Sequence, residues 1–107
     1  MKVLLDENLP RKLKADFGVD YEVKTIRDMG WLGKKSGELL GLIVFSGFDY
    51  FVTLDKNLRY QQNLDRIKLT IFLLLAVNNR RETLQVLVRK IKERIKEGNF
   101  KKINEIS

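Results

Sequence analysis

Cysteine and histidine are both absent from the 107 residues. The first absence excludes disulfides and thiolate metal sites. The second removes imidazole general bases, Ser-His triads and most zinc sites. Hydrolytic chemistry, if the chain performs any, must rest on carboxylates, amides, hydroxyls or lysine. No apolar run approaches the ~18 residues that a membrane span needs. An apolar strand begins directly after Met1, so the expectation is no leader peptide, no membrane partner and a cytoplasmic location.

What is present describes one domain, 1–107. An apolar fraction of 44% is enough for a single core at this length. The formal charge is 21 − 14 = +7, and it is unevenly spread. Residues 80–102 carry nine Lys or Arg against three Glu. A basic surplus suits a nucleic-acid partner. It equally suits a solvated helix face on a lysine-rich protein.

Hydrophobic periodicity predicts strands at 2–5, 21–26, 49–54 and 69–75, with a last edge strand at 100–106. Helices are expected at 9–17, 37–46 and 80–97. Leu9, Leu13 and Phe17 give the first helix one apolar face, with Asn8 as its cap and Pro10 in its first turn. Ser36 is the cap expected for the second. Asn79 and Glu82 have capping-box spacing before the third. The segment 69–75 is apolar on both faces, as a central parallel strand would be. The alternation predicts an α/β fold, a three-layer α/β/α sandwich around a mainly parallel sheet of order 2-1-3-4-(5).

In that fold three acids gather at the carboxyl ends of the strands. Asp6 closes the first strand, Asp55 closes the third, and Glu38 opens the helix between them. Open α/β sheets bind ligands at this edge. Carboxylates crowded in a cleft repel one another unless a cation neutralises them. An all-oxygen site suits Mg2+ or Mn2+. A metal there would activate water and offset charge on a phosphate, so hydrolysis can proceed without histidine. Each acid also has a plain structural use, in a turn for Asp6 and Asp55 or on the helix dipole for Glu38.

Three segments together carry a family resemblance. They are Val3-Leu4-Leu5-Asp6-Glu7-Asn8-Leu9-Pro10, Gly37-Glu38-Leu39-Leu40, and Phe48-Asp49 through Val52-Thr53-Leu54-Asp55-Lys56-Asn57-Leu58, extended by Tyr60-Gln61-Gln62-Asn63-Leu64. Across roughly residues 1–90 the chain resembles the small prokaryotic PIN-like domains, which are assigned as toxins of toxin–antitoxin pairs. The resemblance implies a divalent-metal-dependent ribonuclease with Asp6, Glu38 and Asp55 as catalytic and metal-binding residues. It also implies RNA and a cognate antitoxin protein as partners. PIN nucleases usually present four acids, and this sequence offers no fourth: Asp49 falls at the opposite end of its strand. Asn8, Asn57, Arg59, Tyr60, Gln62 and Arg80 are candidates for substrate contact through amides, a stacking ring and phosphate-binding cations. Trp31, in a glycine-flanked loop, is a candidate for core packing, a partner contact or a homodimer.

Two other readings use the same residues. A non-catalytic nucleic-acid or protein binding module would keep the fold and charge while the acids serve folding. A phosphoreceiver domain would use Asp6-Glu7 as its acidic pair and Asp55 as phosphoacceptor. That second reading lacks the Ser/Thr expected at the end of the next strand, where Leu75-Ala76 stands.

Overall fold

The computed structural model of the chain describes residues 1–60 and 64–107. Five strands form one sheet: β1 (Lys2–Leu5), β2 (Glu22–Thr25), β3 (Tyr50–Thr53), β4 (Thr70–Leu74) and β5 (Ile103–Ile106). Their order is β2-β1-β3-β4-β5, and all four pairings are parallel. The expected order holds, and the last segment joins as a parallel edge strand. Three helices connect them: α1 (Leu13–Phe17), α2 (Ser36–Phe45) and α3 (Arg81–Glu97).

Alternation along the strands sorts the core into two halves. Val3, Leu5, Tyr50, Val52, Phe72 and Leu74 face α1 and α3, where Leu13, Phe17, Leu84, Val88 and Ile91 meet them. Leu4, Phe51 and Ile71 point the other way, toward Leu39, Leu40 and Ile43 of α2. Helices thus cover both faces of the sheet. This explains why β3 is buried at every position while edge strand β2 is largely exposed. Trp31 packs on the α2 side, edge-to-face with Phe48 at 6.2 Å.

Two helix starts differ from expectation. The first helix begins at Leu13, four residues later than the pattern suggested. Residues 6–12 are instead spent on turns: the Leu9 N–H donates to the Asp6 carbonyl at 3.0 Å and the Leu13 N–H to the Pro10 carbonyl at 3.1 Å. Asn8 therefore caps nothing. The capping box before α3 also fails to form. The Asn79 side chain donates instead to the Asn8 carbonyl at 3.3 Å, and Asn78 Oδ1 accepts from the Arg80 N–H at 2.9 Å. Ser36 sits inside α2 rather than ahead of it; Lys35 holds the cap position and makes no side-chain cap bond.

Short α1 is held in place by buried Leu13 and Phe17 and also by polar contacts. Asp16 accepts from Arg81 Nε and a terminal Arg81 nitrogen, both at 3.2 Å, and from Gln85 at 3.0 Å. Burial pushes the Asp16 carboxyl upward, but those hydrogen bonds and the nearby cations leave its pKa below the usual value. The Lys92 ammonium meets the last α1 carbonyls, Asp16 at 3.0 Å and Phe17 at 3.4 Å. That contact replaces the partners a helix C-terminus leaves unsatisfied.

On the other flank, Lys14 forms an ion pair with Asp28. Asp28 also exchanges two hydrogen bonds with Thr25, accepting from its N–H at 2.9 Å and donating to its hydroxyl at 3.0 Å. The Lys14 ammonium first, and the Thr25 N–H next, hold the Asp28 carboxyl down from 3.8 to about 2. A depressed carboxylate stabilises the fold above its unfolded value, and that contribution is lost as pH falls through the folded value. Asp28→Asn should cost on the order of 1 kcal/mol near neutrality, allowing for partial exposure of the pair. In chemical denaturation the gap to the wild type should narrow as pH falls below 3.8 and close near pH about 2. A gap that stays constant across this window would contradict the assignment.

Candidate functional site at the carboxyl edge

All five strands end on the same side, and the switch in strand order lies between β1 and β3. Open parallel sheets form their ligand crevice at such a point. Asp6 follows β1 directly, and its N–H donates to the Val52 carbonyl at 3.0 Å, so the ladder with β3 runs up to the acid itself. Asp55 lies two residues beyond the end of β3.

Thr53 joins the two. Its hydroxyl donates to Asp6 Oδ2 at 2.6 Å and accepts from the Asp55 N–H at 3.0 Å. The threonine is fully buried, so this hydroxyl has a fixed position. Asp6 Oδ1 accepts from the Glu7 N–H at 2.8 Å, and Asp55 Oδ1 accepts from the Asn57 N–H at 3.0 Å. Each carboxylate is thus oriented by backbone donors while remaining part-exposed. Sequence reasoning missed Thr53 as a site residue. The signal was available: a hydroxyl at the final position of a buried strand, two residues before an acid, has few partners except the site.

Glu38 has a different partner. It lies in the first turn of α2 with a side chain 59% exposed, and it pairs with Lys34 at 3.1 Å. Among the described residues no three His, Cys, Asp or Glu side chains form a group able to hold a metal ion. The described acids thus do not assemble into the expected three-carboxylate group; Asp6 and Asp55 are linked from the Asp6 carboxylate through the Thr53 hydroxyl to the Asp55 backbone N–H. The physical reason lies in the connection. Residues 26–35 turn back beside β2, the Trp31 N–H donating to the Ile26 carbonyl at 3.0 Å, and the helix then starts with its first-turn acid facing solvent.

Beside Asp6 lies a cavity of about 260 Å³ between the ends of β1 and β2. Glu7, Asn8, Arg11, Thr25 and Arg27 line it with Asp6. Two exposed guanidinium groups next to a carboxylate suit a phosphate-bearing ligand, since Arg offers planar paired donors. The sequence reading named neither Arg11 nor Arg27, because their convergence depends on how β1 and β2 end in space. Of the residues expected to contact substrate, Asn8 lines the cavity. Its carbonyl touches Asn79, which draws the loop before α3, and with it exposed Arg80, toward the same edge. Asn57 is exposed beside Asp55. Gln62 lies outside the described residues, as do the side chains of Arg59 and Tyr60.

The donor set is compatible with a hard divalent cation. Mg2+ commonly takes one or two protein carboxylates and completes its shell with water and substrate phosphate. Asp6 offers one such part-exposed carboxylate, with Asp55 tied to it through Thr53; a closed all-protein cage would need a group of three, and none forms among the described residues. Comparison of the chain with protein-family models, with curated proteins and with solved structures returned no match.

Proposed function

We propose that the chain is a divalent-metal-dependent ribonuclease, acting as the toxin half of a toxin–antitoxin pair. The observation that carries the reading is the Asp6–Thr53–Asp55 array beside the arginine-lined cavity, at the edge where a parallel sheet binds its ligands. Asp6 and Asp55 would hold Mg2+ or Mn2+, and a cation bound there supplies charge neutralisation at the scissile phosphate and acidifies its own water. Thr53 keeps the Asp6 carboxylate turned toward the site. Arg11 and Arg27 bind flanking phosphates, and Asn8 and Asn57 offer amides to the substrate. Glu38, paired with Lys34, takes no part as a ligand in the free protein. A protein partner that covers this edge would silence the activity, which is the role the resemblance assigns to an antitoxin.

The lack of a three-acid group among the described residues favours one alternative, a binding module on the same fold. Metal titration separates the two. A nuclease should bind Mn2+ through Asp6, cleave RNA with Mn2+ or Mg2+, and stop in EDTA. Asp6→Asn should then lower cleavage by ~100-fold or more with the unfolding transition retained. A folded protein that binds no Mn2+ and cuts no RNA in any arm would leave the binding module standing.

Thr53→Val tests the link between the acids. It keeps the shape of a buried strand residue and removes the hydroxyl that orients Asp6. Loss of such an orienting group typically lowers metal affinity or activity ~10–100-fold. The measurement is the Mn2+ dissociation constant; an unchanged value would show that Thr53 serves the fold alone.

A further inference from the structure

At the opposite edge of the sheet, where the strands begin, lies a second cavity of about 730 Å³. It sits between the amino ends of β1 and β3, the residues leading into β2, and the last turns of α3. We propose that this cavity binds a nucleoside phosphate, with the base among its aromatic rings and the phosphate on Lys92 and Lys96. The inference goes beyond the hydrolytic reading and does not rest on it.

Two aromatic pairs line the cavity. Phe17 and Tyr21 meet edge-to-face at 5.6 Å, and Tyr50 and Phe100 do so at 5.9 Å. None of the described ring pairs is stacked face to face. Phe17 and Tyr50 are core residues, but Tyr21 and Phe100 are part-exposed at the cavity and offer ring surface to a flat ligand; nucleobases stack on such platforms without regard to sequence. The volume is that of a single small-molecule site.

Tyr50 supplies the second observation. The residue is only 8% exposed, and among the described residues its hydroxyl donates to the Met1 thioether, at 3.7 Å. Sulfur is a weak acceptor. A phenol on a cavity wall can exchange it for a stronger one. A carbonyl or ring nitrogen of a base would be such an acceptor. Burial raises the pKa of Tyr50, and likewise that of Tyr21, so both remain donors at neutral pH. Asp20, exposed and also lining the cavity, can accept from a base amino group.

The charges fit the other half of the ligand. Lys92 and Lys96 lie one turn apart on α3 and both line the cavity. Like charges at this spacing repel, and a shared anion would relieve them. The Lys92 ammonium donates to two α1 carbonyls, which leaves one of its three donors for a ligand. Lys96 is exposed.

The test is calorimetric titration of the full chain in EDTA, so that the aspartate edge plays no part. The probes are UMP, GMP, uridine, inorganic phosphate, an eight-nucleotide oligouridylate and an Asp-Phe dipeptide. Expected are saturable binding of the nucleotides, uridine ~10-fold weaker than UMP, and a loss of affinity at higher salt. Tyr50→Phe should weaken UMP binding by ~3–10-fold, the loss of one hydrogen bond. Lys96→Glu, on an exposed position that the fold does not use, should weaken it at least as much. Equal affinity per site for UMP and the oligomer identifies a free nucleotide as the natural ligand; a marked preference for the oligomer identifies a nucleotide within single-stranded RNA. Either supports the proposal. No saturation by ~10 mM nucleotide, indifference to both variants, or displacement of UMP by the dipeptide at lower concentration would overturn it.

Discussion

Parallel pairing is the constraint from which the rest of the molecule follows. Because every strand runs the same way, all carboxyl ends fall on one edge and all amino ends on the other. The turns after β1 and β3 are thereby forced side by side, and residues 47 positions apart, Asp6 and Thr53, share a hydrogen bond. The same constraint requires a crossover between each consecutive pair of strands. The crossovers bring α1 and α3 to one face and α2 to the other, so the sheet is covered twice and its central strands are apolar on both faces between their polar ends.

The two edges are chemically unlike. The carboxyl edge carries oriented carboxylates, amides and guanidinium groups on turns and short loops. The amino edge carries rings, two lysines and a poorly satisfied phenol over an apolar floor. Polar turns between strand and helix produce the first. The second arises because the strands begin with large residues, and because α3 ends there with lysines on the flank of its apolar stripe.

Much of this architecture was legible in the chain. The segment 69–75, apolar on both faces, marked a central parallel strand, and the alternation of strand and helix patterns pointed to the order of the sheet. The positions of Asp6 and Asp55 followed from strand ends alone. What could not be read was anything that depends on the path of a loop. Glu38 has the helix position that was expected of it, but its direction is set by residues 26–35, which carry no periodic signal. The cap before α3 had the right residue types, and tertiary geometry gave Asn79 a different partner in the Asn8 carbonyl. The helix pattern at 9–17 was sound as a core pattern, since Leu9, Leu13 and Phe17 are all buried, yet its first turn was taken by the bends that follow Asp6. Arg11 and Arg27 became neighbours only through the pairing of β1 with β2.

The register of β1 has a kinetic side. Val3 lies opposite Tyr50, a separation of 50 − 3 = 47 residues, and no short hairpin brings them together. Closing so long a loop must precede the reward of pairing, so the β1–β3 seam carries the largest loop-closure cost of the four strand pairings. Until that seam zips, the apolar faces of β3 and β4 have no neighbour on one side. The turns that carry Asp6 and Thr53 come side by side only when that seam closes.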